Sequence, residues 1–147
     1  MEELNTIYDN GYGFVIKSAG LPYVDTRTVY TAENSVHLNG VTAPVSVGGD
    51  YMADVGDTVT VTSTITGDGV IDYGDAVLKV PVTRYADNAP TDDEVYFKAT
   101  IKNNVMVATG SFTRSGDWQL TAERLNSALE RIGAEWKVAS QPLSIIV

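Results

Sequence analysis

Three groups of carboxylates hold most of the reactive chemistry open to this chain: Asp92-Asp93-Glu94, Asp50/Asp54/Asp57 and Asp68/Asp72/Asp75. Two carboxyl groups in unlike environments can divide general acid and general base work on a glycosidic bond. Asp92 and Asp93 are the residues such a glycan hydrolase would use. The plainer reading of these consecutive acids beside Pro90 is a solvated turn, since only burial would move their pKa values usefully. His37 is the single histidine and the one side chain expected to titrate near neutrality when unperturbed. A Ser-His-Asp triad would need it, but no G-x-S-x-G elbow supplies the serine. The run Val36-His37-Leu38 instead places it on the polar face of a strand. No glycine run leads into Lys-Ser or Lys-Thr, and Gly11-Tyr12-Gly13 is too short for a dinucleotide fingerprint. Cysteine is absent, which excludes a thiol nucleophile, thiolate zinc sites and a disulfide framework. No catalytic residue, cofactor, metal or small-molecule ligand is expected.

The third group lies in Gly67-Asp68-Gly69-Val70-Ile71-Asp72-Tyr73-Gly74-Asp75. This run resembles the second half of the calcium loop of dockerins and EF-hands. The resemblance puts Asp68 at loop position five, Gly69 at the turn glycine, Ile71 at the β contact and Asp75 at the closing ligand. Thr64 and Thr66 would then fill positions one and three, and neither supplies a carboxylate. The residues before the run read as a strand, so an acidic, glycine-rich loop between strands is the plainer reading. Calcium binding by Asp68, Asp72 and Asp75 stays open. Trp118 and Trp136 could stack on sugars, but each sits at the edge of an apolar strand flanking a helix. Both are expected to anchor the core.

The elements that must position these residues are strands. Valine occurs 19 times, isoleucine 8 and threonine 16, against only 8 leucines, and branching at Cβ suits a pleated sheet. Period-two alternation is clearest in Thr58 to Thr66, which turns Val59, Val61 and Ile65 towards a core. Further strands are expected at Phe14 to Ser18, Thr28 to Thr31, Val36 to Leu38, Val45 to Val47, Ala76 to Val82 and Val95 to Ile101. Others follow at Val105 to Thr113, Trp118 to Thr121, Glu135 to Ala139 and Leu143 to Val147. Turn chemistry at Gly48-Gly49-Asp50, Gly67-Asp68-Gly69, Asn88-Ala89-Pro90 and Ser115-Gly116-Asp117 recurs at roughly the 8–12 residue spacing of a sandwich or barrel. Lys102-Asn103-Asn104 joins two alternating runs, and asparagine tolerates the positive φ of a tight hairpin, so Val95 to Thr113 reads as one long hairpin. One segment is helical. Leu125, Ala128, Leu129 and Ile132 recur at i, i+3, i+4 and i+7, with Thr121 as N-cap and Gly133 as C-cap.

The chain has 147 residues, the size of one domain or a domain with an arm. Its net charge of −9 argues against nucleic acid or an anionic membrane as partner. Residues 1–93 hold 14 acids and 4 bases, and residues 94–147 hold 5 acids and 6 bases. The acidic part either keeps a β-rich protein soluble or packs against the more basic part of a neighbouring copy. Residues 1–40 are rich in aromatics, with Tyr8, Tyr12, Phe14, Tyr23 and Tyr30 among glycines and Pro22. They read as an N-terminal arm or extension to a β-sandwich over residues 41–147, with its helix at about 122–132. Met1 to Asn5 carries two acids where a signal peptide has a basic stretch, and no apolar run is long enough to span a bilayer.

Ala108-Thr109-Gly110-Ser111-Phe112-Thr113-Arg114-Ser115-Gly116-Asp117-Trp118-Gln119-Leu120-Thr121 looks like the closing strands of immunoglobulin-like domains. In those domains an apolar strand, a tight polar turn and an aromatic precede the return strand. The helix that follows, and the final Leu143-Ser144-Ile145-Ile146-Val147, depart from a plain immunoglobulin module. In that they are similar to small virion structural proteins of tailed bacteriophages. The likeness covers about a third of the chain. It implies an antiparallel, immunoglobulin-like β-sandwich with one packed helix, in a non-enzymatic protein that decorates capsids or builds neck, tail and fibre attachments. It further implies a virion location after assembly in the host cytoplasm. The implied partners are copies of the chain and other virion proteins; the aromatics of the N-terminal arm, Tyr8, Tyr12, Phe14 and Tyr23, are the residues expected at the interface. A glycan- or surface-binding module is the alternative from another class, and a carboxylate hydrolase the second.

Overall fold

A computed structural model describes residues 27–46, 48–139 and 143–147. The fold is mainly β with one short helix. The strands are β1 (Thr28–Leu38), β2 (Val41–Thr42), β3 (Tyr51–Met52), β4 (Val59–Thr66), β5 (Leu78–Ala86) and β6 (Ala89–Lys102). They continue with β7 (Val105–Gly110) and β8 (Asp117–Leu120), then helix α1 (Ala122–Arg131), β9 (Trp136–Ala139) and β10 (Leu143–Ile146). Among the described residues no helix is long and apolar enough to cross a membrane.

Pairing runs in one path, β2-β1-β4-β7-β6-β5-β8-β10-β3, with β9 beside β1. The two-sheet sandwich expected from the sequence is therefore met as a single curled sheet. The curl brings the segment after β2 to β3: an isolated bridge joins Val45 to Tyr51, and the Met52 amide donates to the Pro44 carbonyl at 3.2 Å. A long twisted sheet lowers its free energy by curling, because one face can then enclose a common core. The antiparallel expectation fails at two pairings, since β9 lies parallel to β1 and β3 parallel to β10. Residues 28–38, placed in the N-terminal extension by their aromatic setting, form β1 and pair with both β4 and β9.

The core is one cluster drawn from nearly every strand. It includes Tyr30 and Val36 of β1, Val59, Val61 and Ile65 of β4, Val80 and Val82 of β5, Phe97 and Ile101 of β6, and Ile145 of β10. The inward turn of Val59, Val61 and Ile65 matches the alternation read from the sequence. Phe112 is its aromatic hub, 5.4 Å from Phe97 and 4.9 Å from Trp118 between ring centroids. The hairpins close through residues with positive φ at both central positions: Asn39-Gly40, Asp87-Asn88 and Asn103-Asn104. That geometry matches the strand twist and favours Asn, Asp and Gly. The expected turn at Asn88-Ala89-Pro90 sits one residue earlier, and β6 already includes Ala89 and Pro90.

Helix α1 follows its sequence signals closely. The Thr121 hydroxyl accepts from the Arg124 amide at 3.2 Å, and Glu123 and Arg131 stand at the ends that suit their charges. The chain leaves through Gly133 at φ +78°, with Gly133 donating to Glu130 and Ala134 to Leu129, each at 3.0 Å. This pair of bonds satisfies two carbonyls that the helix end would otherwise strand. Leu125, Ala128 and Leu129 are buried, whereas Ile132, expected in the same stripe, is 50% exposed because it already lies past the last helical turn.

Candidate functional site

The acidic loop between β4 and β5 is organised by the tip of the β6–β7 hairpin. Asn104 donates its backbone N–H to the Ile71 carbonyl at 2.8 Å. Its carboxamide accepts from the Ile71 amide and donates to the Gly69 carbonyl at 3.0 Å. The Asp72 carboxylate accepts from the amides of Gly74 (2.8 Å) and Asn103 (3.1 Å). Asp75 pairs with Lys102 at 2.6 Å, outside the loop centre. A side-chain amide thus takes the organising place that a cation has in a calcium loop. Among the described residues no three His, Cys, Asp or Glu side chains gather around one point, those of Asp68, Asp72 and Asp75 included. Hydrogen bonding to Lys102, and its charge, hold the Asp75 carboxyl below its ordinary pKa; the same pair raises that of Lys102. Both groups are solvent-exposed, so the pair is screened.

Beside this loop the Tyr30 ring lies against Gly67 and its hydroxyl donates to the Asp68 carbonyl at 2.8 Å. Trp136 meets Tyr30 edge-on at 5.7 Å and donates its indole N–H to the Tyr73 hydroxyl at 2.8 Å. Together with Val70 and Asp72 they line a shallow hollow of about 280 Å³. Trp118 donates to the Arg114 carbonyl at 3.2 Å and packs on Phe112. Both indoles are buried. They anchor the core, as their sequence setting indicates.

Asp92, Asp93 and Glu94 lie on β6, not in a turn. The pairing of β5 and β6 is irregular here, with a bulge between the Thr83–Glu94 and Tyr85–Pro90 pairs, and Asp92 is exposed. Asp93 is held by Arg84 and Arg114, each at 2.7 Å. Glu94 accepts from the Thr83 hydroxyl (2.9 Å), from the Tyr96 hydroxyl (2.8 Å) and from the Arg124 guanidinium. It therefore ties α1 to the outer face of β5 and β6. Hydrogen bonding to the Glu94 carboxylate, and its charge, raise the Tyr96 phenol above its ordinary pKa. Asp57 caps its own loop, accepting from the Asp54 amide at 2.9 Å and from the Asn39 side chain at 3.1 Å. His37 is half-buried on β1, opposite Thr42 and Thr60 and beside the inward Val36.

Two exposed surfaces escaped the sequence reading. Near the two ends of the strand path, Val41, Val45, Met52 and Val55 are exposed by 68, 55, 40 and 50%. A groove beside them is lined by Leu38, Pro44, Met52 and Ala53, with Asp54 and Asp57 at its rim. Valines at 41, 45 and 55 look like interior residues in a linear sequence; the only signal against that is their interruption by Gly48-Gly49-Asp50 and Gly56-Asp57. The second surface lies on β5 and β6. There Lys79 stands directly across from Lys98, both exposed, and neither has an ion-pair partner among the described residues. Tyr8, Tyr12, Phe14 and Tyr23, the expected interface residues, lie outside the described residues. Comparisons with protein-family models, with curated proteins and with solved structures return no match for this chain.

Proposed function

We propose that the chain is a non-enzymatic structural protein of a tailed-bacteriophage particle, at its neck, tail, fibre attachment or capsid surface, and that it acts by self-assembly and docking. One observation carries the reading: the apolar strip of Leu38, Pro44, Met52 and Ala53, which line one groove near the ends of the strand path. Apolar side chains grouped on a surface favour a partner over water. The same reading takes the curled sheet as a form of the immunoglobulin-like sandwich. In the assembly, Tyr8, Tyr12, Phe14 and Tyr23 bury against the next subunit or the shell, and neighbours cover the open strand edges.

The test is solution mass by light scattering over a series of protein and salt concentrations. A discrete multiple of the monomer mass, or growth into larger particles, is expected. Deleting residues 1–22 should leave the domain folded and abolish assembly. A monomer at every condition would overturn self-assembly and shift the function to a surface-binding module.

A further inference from the structure

We infer that the acid-rimmed apolar strip docks on the Lys79–Lys98 face of a second copy, so that subunits join head to tail. The inference rests on the assembly reading above and names the two surfaces that meet. On one side, Leu38, Pro44, Met52 and Ala53 form the strip, and Asp54, which has no ion-pair partner among the described residues, lines the groove with them. Asp50 and Asp54 flank the two residues of β3, one before it and one after it.

On the other side, Lys79 and Lys98 face each other across β5 and β6. Like charges directly opposite on a sheet repel, and a facing anionic surface relieves that repulsion. Apolar surface adjoins the lysines. Val77, two residues before Lys79, is 61% exposed and Tyr96, two residues before Lys98, is 54% exposed. Val77 and Ile132 also line an apolar hollow of about 250 Å³ with Tyr73, Ala76 and Leu78, which can receive an aliphatic side chain from the strip.

Topology sets the two surfaces apart. β6 is the fifth of nine strands along the path, and the groove lies near its two ends, where an isolated bridge from Val45, just after β2, reaches Tyr51 of β3. In a sheet curled on itself, the middle of the path lies across from its two ends. A copy that offers the strip on one side thus offers the lysine face on the other. Contacts between unlike surfaces repeat, and they build rings or open filaments rather than closed dimers.

Two charge-reversed proteins test this in the full chain: Lys79→Glu with Lys98→Glu, and Asp50→Lys with Asp54→Lys. All four positions are at the surface or half-exposed, and circular dichroism checks that each variant folds. Each variant alone should need at least about tenfold more protein to reach the wild-type mass, because like charges then face each other. An equimolar mixture should assemble again, since each copy's strip meets a partner face of opposite charge. Assembly of the wild type should weaken with added salt. If wild type assembles and either variant matches it, or if the mixture is no better than its components, the pairing is wrong while the assembly reading stands. A wild type that is monomeric throughout overturns both.

Discussion

The Asn126 carboxamide stands in for a missing strand at Val138: it donates to the Val138 carbonyl and accepts from the Val138 amide, both at 2.9 Å. β9 pairs with β1 through the opposite set of backbone groups, as the bond from the Thr28 amide to the Glu135 carbonyl (3.0 Å) shows. The groups of Val138 therefore point away from β1, where a further chain could add. Asn126 lies on α1, so the helix both covers the sheet and shuts this part of its edge. Replacing Asn126 by Ala strands a buried amide and carbonyl together, at a cost of about 2 kcal/mol. Urea unfolding measures that loss. The variant should also aggregate faster on partial unfolding than wild type, because the edge is reopened.

Gly67 is required by space and not by backbone conformation. A Cβ there would lie 2.3 Å from the Tyr30 ring. Gly67→Ala should therefore destabilise the fold by about 1–3 kcal/mol through overpacking. The double substitution with Tyr30→Ala should cost less than the sum of the two singles, since the clash disappears with the ring. A strictly additive cycle would show that the ring and the glycine are independent.

What the sequence made legible, and what it hid, follows from where polar atoms sit. The helix was readable because its cap, stripe and glycine exit are all local signals, and the Asn103-Asn104 hairpin because its turn chemistry is local too. β1 was readable only at its ends. The middle of the strand turns Asn34 inward, and the apolar alternation lapses there because Asn34 meets the Ser63 hydroxyl of β4 at 2.5 Å. β3 was missed outright, since two residues, Tyr51 and Met52, carry no periodicity. The parallel pairings were equally hidden, because register between β1 and β9 is set by packing over about a hundred residues of intervening chain. On the surface, Glu94 reads as part of a solvated acidic turn; beside Tyr96 of its own strand, its partners Thr83 and Arg124 come from β5 and α1, which only the fold brings to it.

The Asp75–Lys102 pair fixes a sign for the pH response. Asp75 is held below its ordinary pKa in the folded chain by hydrogen bonding to Lys102 and by its charge. Whatever stability the pair contributes is present above the unfolded carboxylate range and is lost as pH falls through the lower folded value. NMR titration of the Asp75 side-chain carboxyl should give a midpoint below that of an unstructured aspartate. Lys102→Ala should return it to the ordinary value. Raising salt in the wild type should move it the same way, because both groups are exposed and screened. A midpoint that ignores both changes would mean that the pair does not form in solution.

Asn104 can be tested apart from its turn. At φ +65° glycine is at least as comfortable as asparagine, so Asn104→Gly keeps the hairpin geometry and removes only the carboxamide. That side chain satisfies the Ile71 amide and the Gly69 carbonyl, and its loss should cost about 1–3 kcal/mol. The damage should be local: amide exchange should accelerate at Ile71, whose N–H loses its acceptor, while the amides of β4 and β7 keep their protection. Calcium discriminates between the two ways of holding the loop. If Asn104 is the organiser, the melting temperature of the wild type is the same with calcium as with chelator. A rise of several degrees with calcium would show that the loop carboxylates gather around a cation after all, and that the Asn104 contacts are secondary.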